Sequence, residues 1–117
     1  MREKARQNLE AARLLVERGL FDAAASRLYY AAFQAAVWAL GRQGLRPDSI
    51  RLGARHWDHS MVAESASLVR GRPEDVLLFR QLRRLRTHAD YEQGPTDRRD
   101  LEGWFDAAGR FISETLG

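Results

Sequence analysis

The sequence predicts an all-α protein, an up-and-down antiparallel bundle of four to five helices. Three observations predict it. Apolar residues recur at steps of three and four in five segments of the 117-residue chain, the spacing that gathers them on one face of a helix. No stretch shows the period-two alternation of a convincing strand. The connections are mostly short, which makes sequential helices antiparallel neighbours. The length corresponds to one domain, residues 1–117, large enough to bury a core without staples.

The first helix is expected over 2–18, with Ala5, Leu9, Ala12 and Val16 as its inner stripe. Gly19 is its natural stop, since glycine takes the left-handed conformation that ends a helix. The second, 20–42, is the most apolar. From Ala23 to Leu40 its conventional polar residues are Ser26, Arg27 and Gln34, so it belongs at the centre of the bundle. Arg27, Tyr30 and Gln34 are three and four apart and predict a single polar row. That row is either an internal hydrogen-bonded array or a cleft wall facing a polar ligand.

Residues 41–57 are the longest irregular stretch, broken by Gly41, Gly44, Pro47 and Gly53 and carrying Arg42, Arg46, Arg51 and Arg55. A basic loop is expected there. Asp58 caps a third helix over 58–70, packed through Met61, Ala63, Ala66 and Leu68. Pro73 opens the fourth, with Glu74 and Asp75 in a first turn that favours anions. It ends at Gln93-Gly94-Pro95. Thr96 caps the fifth, 97–116, whose stripe is Leu101, Trp104, Phe105, Ala108, Ile112 and Thr115. No second copy of any segment recurs at solenoid spacing.

Composition narrows the chemistry. With no cysteine, disulfides, thiolate catalysis and cysteine-based zinc sites are excluded. The N-terminus is polar, and no apolar run reaches the roughly 20 residues of a membrane span. A soluble cytoplasmic protein is the expectation. The net charge is +3, distributed unevenly. Residues 41–86 carry ten basic and five acidic side chains, and residues 87–117 carry three and seven. A positive middle points to an anionic partner. Against that, 18 of 19 basic residues are arginine, as a coding bias would also produce.

His56 and His59 flank Trp57-Asp58 but lack a third ligand at helical spacing. Capping and packing roles suit them better, and neither a metal nor another cofactor is expected. What remains is the fourth helix. Leu78, Leu82, Leu85 and Ala89 share one face, leaving Arg80, Arg84 and His88 in one row and Arg83, Arg86 and Asp90 in another. Arginine donors can hold phosphate, and histidine can move a proton near neutral pH. Together they can cleave RNA without a metal, using its 2′-hydroxyl as nucleophile. The same face can equally be solvated surface.

The second and fourth helices also carry motifs. Gly19-Leu20-Phe21-Asp22-Ala23-Ala24-Ala25 leads into Ser26-Arg27-Leu28-Tyr29-Tyr30-Ala31-Ala32-Phe33, and the fourth helix ends in Arg86-Thr87-His88-Ala89-Asp90-Tyr91. Together these resemble the HEPN domain, in particular a small stand-alone branch with Ser-Arg-x-Tyr-Tyr-Ala-Ala-Phe and Arg-x-x-Ala-Asp-Tyr as hallmarks. The resemblance covers nearly the whole chain. It implies a helical bundle, usually a homodimer. Members include metal-independent ribonucleases and toxins, often paired with a small nucleotidyltransferase as antitoxin. Others resemble nucleotide- or substrate-binding subunits without catalysis.

The family's catalytic signature is an arginine, four to six residues, then a histidine, with copies from both chains lining one cleft. Arg83 and His88 meet that spacing. The ribonuclease form usually reads His-x-Tyr, however, and Ala89 occupies that slot before Tyr91. His88 is one residue away, a rotation of about 100° on a regular helix. Arg84 and His88, one turn apart, share a face more closely. The resemblance therefore implies Arg83, Arg84 and His88 as the catalytic candidates. Arg27, Tyr30, Gln34, Arg86, Asp90 and Tyr91 are the candidates for holding RNA or nucleotide. Three readings stay open: an RNA- or nucleotide-binding protein that includes the toxin-like ribonuclease, a non-catalytic partner of a nucleotidyltransferase, and a plain helical interaction module.

Overall fold

A computed structural model of the chain describes residues 1–91 and 94–117. Six helices account for most of them: α1 (Arg2–Glu17), α2 (Phe21–Arg42), α3 (Pro47–Ile50), α4 (His59–Arg70), α5 (Glu74–Tyr91) and α6 (Arg98–Leu116). No strand occurs among the described residues. The five long helices match the five expected segments to within a residue or two at each end. The sixth, α3, is a single turn inside the stretch expected to be irregular. α5 is described to Tyr91, and Gln93, the first residue of the expected stop signal, lies outside the described residues.

α2 is the axis, packing against α1, α4, α5 and α6. Its composition explains the position. Ala24, Ala25, Ala31, Ala32, Ala35 and Ala36 are all buried, and side chains that small let helices approach on several sides. Cross-helix contacts fix the directions. Arg2 lies over Trp38 while Asn8 reaches Gln34 and Arg27, so α1 runs antiparallel to α2. Ser26 meets Asp90 and Tyr30 meets Arg86, so α5 also opposes α2. Arg84 meets Asp100 and Phe79 meets Phe111, so α6 opposes α5. The bundle is antiparallel throughout these pairs.

Several helix ends have a local cause. Gly19, at φ 73°, turns the chain from α1 to α2. Gly71, at φ 66°, closes α4 in the same way. The Asp58 carboxylate accepts from the Met61 amide at 2.9 Å and starts α4, as expected. The start of α6 differs from expectation. Asp97 is the cap there, accepting from Asp100 N at 2.8 Å. Thr96 instead gives its amide (2.9 Å) and its hydroxyl to the Asp22 carboxylate on α2. Those two bonds anchor the segment before α6 to the first turn of the central helix.

The inner stripes hold with one exception. Leu78, Leu82 and Leu85 are buried, with Ala89 packed at the margin. On α4, Met61, Ala63 and Ala66 are buried, but Leu68 is 82% exposed. Val62 and Ser65 take the inner positions instead. Leu68 lies in the last turn of α4 and reaches solvent there, although it shares a side of the helix with Met61 seven residues earlier.

Candidate nucleic-acid interface

The two sequence motifs meet in space. Ser26 Oγ donates to Asp90 Oδ1 at 2.9 Å. Asp90 Oδ2 stands 3.4 Å from Arg86 Nε, an ion pair one helical turn long. The Arg86 guanidinium lies 5.2 Å from the ring centre of Tyr29 and 5.1 Å from that of Tyr30. Those rings are nearly perpendicular, 5.5 Å apart. Adjacent aromatics on α2 thus form a corner that receives one cation from α5. Arg86 Nε is buried and makes no aligned hydrogen bond among the described residues, so the rings and Asp90 together hold it.

The corner continues into α4. His59 stacks on Tyr29 with ring centres 5.9 Å apart, and its Nδ1 is 3.2 Å from the Tyr29 hydroxyl. The edge of Phe79 closes the far side. Burial holds the His59 pKa below its ordinary value. Arg83 and Arg86 act in the same direction, with Asp58 opposing. Burial also pushes the Tyr29 phenol up, against Arg86 and Arg83. Tyr29 therefore keeps its proton at neutral pH, and its hydroxyl shares a hydrogen bond with His59 Nδ1 whose direction follows the imidazole tautomer.

Eight of the nine expected site residues fall into three groups, and Tyr91 stands apart. Tyr30, Arg83, Arg86 and Asp90 gather on the face shared by α2, α4 and α5. Arg27 and Gln34 turn to α1, where Asn8 bridges them: Arg27 Nη1 donates to Asn8 Oδ1 at 3.2 Å, and Asn8 Nδ2 donates to Gln34 Oε1 at 2.7 Å. The row Arg27–Tyr30–Gln34 is thus divided between two neighbours. Arg84 and His88 face α6. Arg84 makes a two-pronged pair with Asp100 at 2.8 and 2.9 Å and also bonds Gln81. His88 Nε2 is 3.1 Å from the Pro95 carbonyl. Tyr91 is 76% exposed at the helix end.

Arg83 and His88 are consequently not neighbours on this helix. The histidine beside Arg83 is His59, from α4. The sequence pattern suits His59 to capping and packing. A signal was present in hindsight: His59 occupies the first turn of a helix bounded by a cap, which fixes its direction. Nothing in the one-dimensional pattern says that Tyr29 will be its partner. Among the described residues, His, Asp and Glu do not group as metal ligands.

An antiparallel all-α bundle with an arginine held in an aromatic corner describes the class. The chain belongs to the HEPN domain family, whose model matches residues 1–116. No curated protein and no solved structure gives a significant match.

Proposed function

We propose that this chain binds RNA or a nucleotide through the face made by Tyr30, Arg83 and Arg86. One observation carries the reading. Arg83 has no ion-pair or hydrogen-bond partner among the described residues, next to an arginine–aromatic corner. Exposed arginine supplies a phosphate contact. A tyrosine that is 39% exposed supplies a surface for a base. Asp90 and Ser26 position Arg86. Arg27 and Gln34 brace α1 against α2.

Binding is favoured over His88-dependent cleavage. Arg84 and His88 are engaged with Asp100 and Pro95, on the side of α5 facing α6. A homodimer and a nucleotidyltransferase partner are carried into the proposal by family membership. Among the described residues no helix is long and apolar enough to cross a membrane, in keeping with work in the cytoplasm.

The test is fluorescence anisotropy with labelled single-stranded RNA. Wild-type protein binds with an affinity that falls as salt rises, and Arg83→Ala weakens it. Affinity independent of salt would remove the phosphate-contact reading. Incubation of the same RNA in EDTA reports cleavage separately.

A further inference from the structure

Beside the aromatic corner, α4 and α5 enclose a pocket of about 240 Å³. From the structure we infer that this pocket takes a terminal phosphate, the phosphomonoester end of an RNA strand or of a free nucleotide. The inference rests on the reading of the adjoining face as a nucleic-acid surface.

Its polar lining is His59, Ser60 and Glu64 from α4 with Arg80 and Arg83 from α5, and Val76 is among its apolar residues. Arg80, like Arg83, has no ion-pair or hydrogen-bond partner among the described residues. Two such guanidiniums on one wall offer donors matched to the oxygens of a phosphate. His59 lines the same pocket, its Nδ1 engaged with the Tyr29 hydroxyl, and offers Nε2–H as a further donor in the tautomer in which Tyr29 donates to Nδ1.

Size and charge decide which phosphate. The volume is below the roughly 300–1,000 Å³ of pockets that enclose a whole drug-sized ligand. It suits a phosphate group rather than a base, sugar and phosphate together. A monoester is close to dianionic at neutral pH, which matches two arginines. Glu64 shares the lining, so a phosphate held there meets one carboxylate beside two guanidiniums. A phosphodiester inside a strand carries a single charge and a sugar on either side, which a pocket of this volume does not hold.

Four ligands test this: one short single-stranded RNA with a 5′-phosphate, with a 3′-phosphate, or with hydroxyls at both ends, and adenosine 5′-monophosphate. One phosphorylated end is expected to bind about tenfold more tightly than the hydroxyl form, the worth of one charged contact. Arg80→Ala, a change at an exposed position, removes that advantage and leaves the hydroxyl form unchanged. Glu64→Gln, which removes the carboxylate from the lining, widens the advantage of the phosphorylated end. Nucleotide binding that disappears in Arg80→Ala without any RNA binding keeps the pocket and assigns it a free nucleotide. Equal affinity for phosphorylated and hydroxyl ends overturns the terminal-phosphate assignment while RNA binding stands. So does an advantage that survives Arg80→Ala. Absence of binding to all four ligands overturns both the pocket and the face.

Discussion

The Arg86 guanidinium on α5 lies over the ring of Tyr30 on α2, 5.1 Å from its centre, although 56 positions separate them in the chain (86 − 30). Tyr29 offers the second ring and Asp90 the counter-charge. Truncating Arg86→Ala removes both ring contacts and leaves Asp90 with Ser26 alone. A loss of about 1–2 kcal/mol is expected, from the usual range of cation–π contacts plus a half-exposed ion pair. Urea unfolding measures it. RNA affinity should fall in the same variant.

Arg84 and His88 should behave in the opposite way. Arg84→Ala loses a half-exposed pair with Asp100, worth at most about 1 kcal/mol, and His88→Ala loses one bond to a carbonyl, about 1 kcal/mol. Both are expected to lower the urea midpoint slightly and to leave RNA affinity within about twofold of wild type, a difference of only ~0.4 kcal/mol. A large loss of affinity in either variant would return the α6 side of α5 to the site.

Asp22 is the anchor of the segment before α6. It receives both the amide and the hydroxyl of Thr96, which is itself 4% exposed. Asp22→Ala strands those donors, at a cost of about 1–3 kcal/mol. Hydrogen exchange at the Thr96 amide should accelerate more than exchange in the middle of α2. Equal acceleration at both would mean that the bond does not act locally.

His59 gives stability a pH dependence of known sign. Its pKa in the folded chain lies below the ordinary 6.5, chiefly through burial. The unfolded chain therefore binds a proton that the folded chain resists. The favourable contribution is complete above about 6.5 and is lost as pH falls through the folded value. Unfolding midpoints should decline from pH 7.5 towards pH 5.5, and His59→Gln should flatten that decline. A midpoint that rises over this interval would contradict the burial of a neutral imidazole.

Much of the fold was legible because helical period and end signals are local. Leu78, Leu82 and Leu85 share a buried face as their spacing requires, and Asp58 and Gly19 mark helix ends by their own chemistry. Thr96 differs from its expected role because two adjacent residues can each cap α6. The choice went to Asp97 once Asp22, far away in sequence, claimed Thr96. The site was legible only in its parts. Spacing puts Arg83, Arg86 and Asp90 together on α5, but which of α4 and α6 receives each row depends on packing around α2. The same dependence hid the partnership of Tyr29 with His59 and divided Tyr30 from Arg27 and Gln34.

The salt dependence of RNA binding, compared between wild type and Arg83→Ala, tests the assignment of this face most directly. If Arg83 contacts a phosphate, the variant binds more weakly at every sequence tried, and the slope of log affinity against log salt falls by about one. An unchanged affinity and slope in Arg83→Ala, with wild-type binding intact, would place the RNA on some other surface of the bundle.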